Sequence, residues 1–135
     1  MKSVFADTLY WLAIVRPNDQ WHGQAVAARS NLGNTLILTT DEILAEFLSA
    51  LSQGGLNVRR QAAVMVREIQ KNPNVRVIPQ SRDSFMRGLT LYEQRLDKGY
   101  SLVDCVSMNV MTEHAVSDIL THDHHFAQEG FTTLI

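Results

Sequence analysis

Two acidic residues stand directly after short apolar runs, where they could bind a metal ion. Asp7 follows the apolar residues 4–6, and Asp123 follows the run 119–121 and one histidine. Such a run, ended by an acid, predicts a buried strand with a carboxylate at its carboxyl end. Ligands of open α/β sheets bind at that edge. Gathering carboxylates there indicates a site for a divalent cation.

Glu46 and Asp104 lie on predicted helices and extend this set to four acids. Glu46 is preferred to Glu42, because Glu42 lies three residues after Thr39, the spacing of a capping box. Glu46 instead flanks the apolar face of its helix, where it can point into a cleft. Asp104 lies on a helix that is apolar around most of its circumference, so its ionised carboxylate needs a partner or a metal ion. A simpler interpretation makes these acids helix caps, with Asp104 in a capping box with Ser101.

Strands and helices alternate along the chain and must position these acids. Apolar or β-branched runs predict strands over residues 4–6, 35–39, 75–79, 118–121 and 131–134. Helical spacing, caps and breakers predict helices over residues 8–15, 18–32, 40–53, 57–71, 81–97 and 101–114. This alternation predicts an α/β fold with a parallel sheet covered on both faces.

The composition restricts the class of protein. A chain of 135 residues that is 45% hydrophobic and 19% charged predicts one folded domain. A net charge of -2 does not by itself indicate nucleic-acid binding. The single cysteine, Cys105, lies in an apolar run and is interpreted as a buried small hydrophobe. We expect a cytoplasmic protein, since no apolar stretch would span a membrane and Asp7 interrupts any signal peptide.

Four segments in order resemble the PIN-domain family, especially the VapC-type toxins and their stand-alone relatives. They are residues 4–8, 44–47, 100–105 and 120–126, followed by the Gly130-Phe131 pair. The resemblance covers nearly the whole chain. It implies a single PIN domain over residues 1–135, folded as a three-layer α/β/α sandwich around a central parallel sheet of four to five strands. It also implies RNA cleavage that depends on Mg²⁺ or Mn²⁺.

The same resemblance implies the roles of individual residues. It assigns catalysis and metal binding to the four acids, Asp7, Glu46, Asp104 and Asp123. It assigns supporting roles to three residues with hydroxyl side chains, Thr8, Ser101 and Thr121. We expect the three aspartates to hold the main ion, directly or through water, and Glu46 to hold a second ion or orient the attacking water. Leu9 departs from the family, since many relatives have a small or hydroxyl residue there.

The resemblance also implies partners and leaves alternatives. Relatives commonly form homodimers and bind an antitoxin whose tail blocks the acidic cleft, so the leading hypothesis is the toxin of a toxin–antitoxin pair. A stand-alone RNA-processing nuclease and a catalytically silent RNA- or protein-binding module are the alternatives. A phosphatase with a nucleophilic aspartate is disfavoured, because it would want a second aspartate where Leu9 stands.

Other polar and aromatic residues have less specific interpretations. His122, His124 and His125 invite a zinc site, but the neighbouring acids suit oxygen-type coordination, so they are interpreted as surface residues around a turn. Six arginines could contact RNA phosphates or simply be solvated: Arg16, Arg59, Arg60, Arg82, Arg87 and Arg95. Trp11 and Trp21 are interpreted as core residues, although either could line the cleft.

Overall fold

The fold is built on a five-stranded sheet in which every pairing is parallel. The structure, a computed structural model, describes residues 2–135. The strands are β1 (Lys2–Ala6), β2 (Thr35–Thr40), β3 (Val75–Ile78), β4 (Asp118–Leu120) and β5 (Thr132–Thr133), in the order β3-β2-β1-β4-β5. The predicted α/β class and the predicted parallel sheet are confirmed.

Seven helices connect and cover these strands in the described part of the chain. They are α1 (Thr8–Val15), α2 (His22–Asn31), α3 (Asp41–Ala50), α4 (Leu56–Lys71), α5 (Arg82–Gln94), α6 (Leu102–Glu113) and α7 (His124–Gln128). Crossovers between parallel strands are right-handed. The chain moves outward from β1 to β3 and then crosses back to β4, so α1–α4 lie on one face of the sheet and α5–α6 on the other. This gives the three-layer α/β/α sandwich.

The change of direction creates a topological switch point between β1 and β4. The two strands are neighbours, with Phe5 paired to Ile119 and Ala6 to Leu120. All four of these side chains are completely buried. Helices leave β1 and β4 toward different strands, so a crevice opens at the carboxyl ends of the two strands. Asp7 and residues 121–123 follow these ends directly.

Helix α2 begins later than the sequence predicts. Residues 18–21 lie outside the helix, because the first helical residue is His22. The Asp19 carboxylate instead accepts a hydrogen bond of 2.7 Å from the Trp21 amide. This Asx turn uses the Asp19 side chain to satisfy the Trp21 amide, so the same carboxylate does not cap a helix.

Helix α3 is capped by Thr40, and the predicted capping box between Thr39 and Glu42 is wrong. The Thr40 hydroxyl accepts from the Ile43 amide at 3.1 Å. The completely buried Thr39 hydroxyl donates instead to the Ala6 carbonyl at 3.0 Å, across the sheet. Glu42 therefore does not cap α3.

Two further differences concern the ends of elements. Helix α5 ends at Gln94, before the predicted boundary at residue 97, and a turn follows. The short helix α7 occupies a segment interpreted as a surface turn.

In residues 2–135, no helix has both the length and the apolar run that crossing a bilayer requires.

Candidate active site

One cleft at the switch point brings all four predicted acids together. Its volume is about 670 Å³. The residues around it include the acids Asp7, Glu46, Asp104 and Asp123, together with Thr8 and Ser101. The acids come from the ends of β1 and β4 and from helices on both faces of the sheet. The geometry thus joins residues that are distant in sequence, and no lysine or arginine of the described chain lines the cleft.

Asp7 lies at the base of the cleft and is only 5% exposed. Its carboxylate Oδ2 accepts a hydrogen bond of 2.9 Å from the Thr121 hydroxyl. The same hydroxyl oxygen accepts from the Asp123 amide at 3.1 Å. Thr121 is completely buried, so one hydroxyl group joins the ends of β1 and β4 and fixes the two acids relative to each other.

Burial raises the pKa of Asp7 from 3.8 to about 7. The hydrogen bond from Thr121 opposes this rise, while the charges of Asp104 and Glu46 add to it. Removing a carboxylate from water disfavours its ionised form, and like charges nearby disfavour it further. A divalent cation in the cleft would supply the missing positive charge and return the pKa of Asp7 toward its ordinary range.

Glu46 faces Asp7 from helix α3. Its Oε1 atom accepts a hydrogen bond of 2.6 Å from the Thr8 hydroxyl, at the first residue of α1. The pKa of Glu46 is raised by its burial and also by the charge of Asp104, against the lowering effect of the Thr8 hydrogen bond. Thr8 thus orients the carboxylate toward the cleft, consistent with the supporting role that the resemblance implies.

Asp104 lies in the first turn of α6, which begins with a complete capping box. The Ser101 hydroxyl accepts from the Asp104 amide at 3.0 Å, and Asp104 Oδ2 accepts from the Ser101 amide at 3.0 Å. The capping interpretation of Asp104 is therefore confirmed, and it coexists with a place in the cleft. Capping fixes the side chain while it still lines the cavity.

Asp123 likewise caps a helix, and His125 completes a compact cluster with it. Asp123 Oδ1 accepts from the His125 amide at 2.9 Å at the start of α7. The Nδ1 atom of His125 lies 3.3 Å from Asp104 Oδ2 and 3.5 Å from Asp123 Oδ1. One ligand atom from each of the three residues lies within 4.8 Å of the others. Their side chains could therefore share one cation.

His125 is the site residue that the sequence interpretation missed. Its side chain is 24% exposed and lines the cleft, whereas the sequence interpretation treated it only as a surface residue around a turn. His124 is a surface residue, with 75% of its side chain exposed, while the His122 ring stacks on Trp21 at a centroid distance of 4.2 Å. The sequence signal for His125 was its place two residues after Asp123. A helix as short as α7 shows no periodicity that would reveal which of its side chains face the cleft.

Glu42 also lines the cleft, next to Gln80. Since it forms no capping box, it is a fifth acid at the rim that the sequence interpretation set aside.

Two of the arginines proposed for RNA contact form ion pairs within the protein. Arg95 holds the Glu129 carboxylate through two nitrogen atoms, and Arg87 forms ion pairs with Asp83 and Glu113.

The donor set fits a hard divalent cation. Carboxylate oxygens are the ligands that Mg²⁺ and Mn²⁺ prefer, and a single imidazole is compatible with Mn²⁺. A zinc site would want more nitrogen or sulfur ligands. Burial, together with the charges of Asp104 and Glu46, raises the pKa of Asp7, so its ionised form is disfavoured without a cation. The residues present therefore fit the group that the sequence resemblance implies.

Comparisons with known proteins confirm the resemblance to VapC-type PIN-domain proteins, with which the chain shares its fold. The chain is 25% identical to VapC20 of Mycobacterium tuberculosis, a 23S rRNA-specific endonuclease, over 128 residues. The match covers 95% of this chain and 95% of that relative. No protein-family model matches the chain.

Solved structures agree with the fold. The crystal structure of VapC20 from Mycobacterium tuberculosis, described as a sarcin–ricin loop cleaving toxin, matches with a TM-score of 0.85 and 24% identity, covering 96% of both chains. FitAcB from Neisseria gonorrhoeae matches with a TM-score of 0.65 and 14% identity, covering 98% of this chain and 96% of the other. FitAB bound to an IR36 DNA fragment gives a TM-score of 0.68 at 16% identity, covering 96% and 92%.

Proposed function

We propose that this protein is a metal-dependent endoribonuclease that hydrolyses RNA phosphodiester bonds at the four-carboxylate cleft. The observation that carries the proposal is the convergence of Asp7, Glu46, Asp104 and Asp123 on one cavity that no basic residue of the described chain lines. Such a cleft repels RNA phosphates unless a cation is bound. The similarity to an RNA endonuclease over 95% of the chain supports the same reaction class.

In this proposal, the aspartates hold Mg²⁺ or Mn²⁺, and the bound ion supplies charge neutralisation at the phosphate and a more acidic water. Asp7 is the buried anchor, and the hydrogen bond from Thr121 to its Oδ2 atom fixes the orientation of the carboxylate. Asp104 and Asp123 present oxygens from the opposite wall, with His125 between them. Glu46, oriented by Thr8, holds a second ion or accepts a proton from the attacking water.

We further propose the biological setting that the resemblance implies. The chain is a single PIN domain over residues 1–135 that acts in the cytoplasm as the toxin of a type II toxin–antitoxin pair, forms a homodimer and is inhibited by an antitoxin protein. The description of VapC20 as a toxin supports this setting. A stand-alone RNA-processing nuclease would use the same cleft but would have no antitoxin encoded beside it.

The test is cleavage of a panel of end-labelled RNAs by purified protein in Mg²⁺, Mn²⁺ or EDTA. A hairpin with the sarcin–ricin loop belongs in the panel, because VapC20 cleaves that loop. We expect cleavage that requires the metal and that Asp7→Asn or Asp104→Asn lowers by about a hundredfold or more. Glu68→Gln, which removes an exposed acid of α4 outside the cleft, should cleave like the wild type.

Three outcomes would contradict the proposal. Cleavage that persists in EDTA would exclude a metal-dependent site. Equal activity in wild type, Asp7→Asn and Asp104→Asn would trace the cleavage to a contaminating ribonuclease. A folded protein that binds RNA yet cuts no member of the panel would favour the silent binding module.

A further inference from the structure

Helix α7 places the His125 ring against two of the acids in the cleft. Its Nδ1 atom lies 3.3 Å from Asp104 Oδ2 and 3.5 Å from Asp123 Oδ1. Two ligands at right angles around a divalent cation, each about 2.1 Å from it, stand about 3 Å apart. The imidazole nitrogen and the two oxygens are thus spaced nearly as they would be around one shared ion. The simpler interpretation is a hydrogen bond from His125 to Asp104 that only supports the helix cap.

The two acids keep oxygen atoms available for a cation although both are helix caps. Asp104 accepts the Ser101 amide at Oδ2, and Asp123 accepts the His125 amide at Oδ1. Neither cap uses the second oxygen of its carboxylate. Both residues are half-buried and line the cleft, so an ion can reach them from there. Capping therefore fixes the two carboxylates and leaves them able to bind a cation.

The surroundings of His125 decide which of its nitrogens faces these acids. Its Nε2 atom lies toward Gly99, where a Cβ atom would stand 3.8 Å from it. The buried ring of Tyr100 packs on the imidazole at a centroid distance of 5.3 Å. Nδ1 is therefore the nitrogen that the ring presents to the carboxylates.

An ion-pair network anchors the helix that carries His125. The Glu129 amide donates to the His125 carbonyl at 3.2 Å, at the end of α7. The Glu129 carboxylate accepts from two nitrogen atoms of Arg95, at 3.0 and 2.9 Å, and from the Tyr100 hydroxyl at 3.0 Å. A helix of five residues is not stable in water by itself. The Asp123 cap at one end and this network at the other therefore position His125.

His125 is the histidine of this segment that is suited to be a ligand. The His122 ring stacks on Trp21 at a centroid distance of 4.2 Å. The His124 side chain is exposed, and its Nδ1 atom lies 4.0 Å from Asp123 Oδ1. Of the three histidines, His125 is the one that lines the cleft. His124 therefore provides a matched control for its neighbour.

An imidazole nitrogen in the cleft changes which cation the cleft prefers. Mg²⁺ takes oxygen ligands, whereas divalent ions of the first transition row also accept imidazole nitrogen. We infer that His125 Nδ1 is a metal ligand beside Asp104 and Asp123, and that it makes the cleft bind Mn²⁺ in preference to Mg²⁺. This inference rests on the cation of the proposed function, and it is tested without RNA cleavage.

Pulsed electron paramagnetic resonance of Mn²⁺ bound to the protein tests the ligand. The protein carries no histidine tag, and the buffer contains no nitrogen ligand. We expect echo modulation from a directly bound nitrogen nucleus in the wild type and in His124→Gln, but not in His125→Asn. The asparagine can place a neutral amide oxygen near the position of Nδ1, so the variant exchanges nitrogen for oxygen. His125→Ala, which removes the ligand altogether, should lose the same modulation.

Calorimetric titration with Mn²⁺ and with Mg²⁺ measures the preference. His125→Asn should weaken Mn²⁺ binding about tenfold or more and Mg²⁺ binding much less. His124→Gln should bind both ions like the wild type. Circular dichroism of each variant checks that it is folded. An equal loss of affinity for both ions in His125→Asn would overturn the preference for Mn²⁺.

The remaining outcomes separate this inference from the nuclease. Bound Mn²⁺ without nitrogen modulation in the wild type would overturn His125 as a ligand and leave the nuclease standing. Modulation that disappears in His124→Gln but persists in His125→Asn would also overturn it. Protein that binds Mn²⁺ through His125 but cleaves no RNA would contradict the nuclease and support the ligand. Absence of any Mn²⁺ binding would overturn this inference together with the metal dependence of the proposed function.

Discussion

Asp7 carries its carboxylate into a nearly closed environment, and this sets a pH dependence for the metal-free protein. Its pKa is 3.8 in the exposed chain and about 7 in the fold, because burial disfavours the charge. Between these values the folded chain keeps the proton and the unfolded chain has lost it. The contribution of Asp7 to the free energy of unfolding is therefore most favourable below pH 4. It becomes less favourable as the pH rises to 7, by on the order of 4 kcal/mol in total.

Urea unfolding of the metal-free protein at several pH values measures this effect. Asp7→Asn removes the titrating group, so it should flatten the fall between pH 4 and 7 and should unfold at higher urea than the wild type at pH 8. Glu68→Gln serves as the control, since that acid is exposed. An Asp7→Asn profile that parallels the wild type would contradict the raised pKa.

Thr121 links two acids through one buried hydroxyl, so Thr121→Val should affect both. The substitution keeps the shape but leaves Asp7 Oδ2 and the Asp123 amide without their partner. We expect a loss of about 1–3 kcal/mol in the free energy of unfolding. We also expect a further rise in the pKa of Asp7, because the Thr121 hydrogen bond lowers it. Urea unfolding and the pH profile of metal binding measure the two effects.

Thr112→Val is the matched control. This hydroxyl donates to the Met108 carbonyl in α6 and lies away from the cleft. The two variants lose the same chemical group, so a general effect of removing a hydroxyl would appear in both. Equal metal-binding profiles for Thr121→Val and the wild type would show that the link between the acids has no functional consequence.

Single residues were predictable where a strand or helix pattern fixed their position. Asp7 and Asp123 were found because each follows a short apolar strand, and Glu46 because it flanks an apolar helical face. All four acids line one cleft, as expected, while their catalytic roles stay predictions. His125 was missed because its place depends on the cap that Asp123 gives to α7, a contact that no sequence periodicity records.

Helices α5 and α6 are held together by a glycine contact, which gives a prediction about packing. Alanine favours a helix over glycine by about 1 kcal/mol. At Gly88, however, the new Cβ would lie 2.7 Å from Val106 Cγ2, and Val106 is only 3% exposed. We expect Gly88→Ala to destabilise the protein by about 1 kcal/mol or more, because overpacking outweighs the helix propensity.

Two further variants decide whether packing is the cause. Gly23→Ala, in α2, meets nothing within 4 Å and should stabilise by up to about 1 kcal/mol. Adding Val106→Ala to Gly88→Ala makes room, so the double variant should lose at least about 1 kcal/mol less than the two single losses summed. Additive losses in denaturant unfolding would exclude the steric explanation.

A predicted helix cap was correct where the capping side chain forms its hydrogen bond within the same helix. Ser101 caps α6 as the sequence predicts, and Ser81 caps α5 in the same way, because each serine forms a capping box with the residue three positions later. Thr39 failed as a cap because its hydroxyl is used across the sheet. Local spacing therefore located helix starts that depend on local contacts, and it failed where a tertiary hydrogen bond competed.

The whole fold followed from alternating strands and helices, but strand order did not. Nothing in the local pattern says that β4 lies beside β1, which is the pairing that opens the crevice. The family resemblance supplied the sandwich, and the structure supplies the order β3-β2-β1-β4-β5. This order brings the ends of β1 and β4 together, and with them the acids that share the cleft.

Because the acids repel one another in the folded chain, a bound cation should stabilise the entire molecule. A ligand at about a hundred times its dissociation constant adds about 2.7 kcal/mol to the free energy of unfolding. For a chain of this size we expect Mn²⁺ to raise the Tm by about 10 °C at pH 8. The rise should be smaller near pH 5.5, where the ion must displace the proton of Asp7.

Thermal unfolding by circular dichroism, with Mn²⁺ or EDTA at both pH values, measures this linkage. Asp104→Asn removes one wall of the cleft and should lose most of the rise in Tm, while Glu68→Gln should keep it. Asp7→Asn should lose the rise and also the difference between the two pH values, because no proton then competes with the ion. If Asp104→Asn gained as much as the wild type, the cation would be bound outside the cleft, and the acids at the switch point would need another explanation.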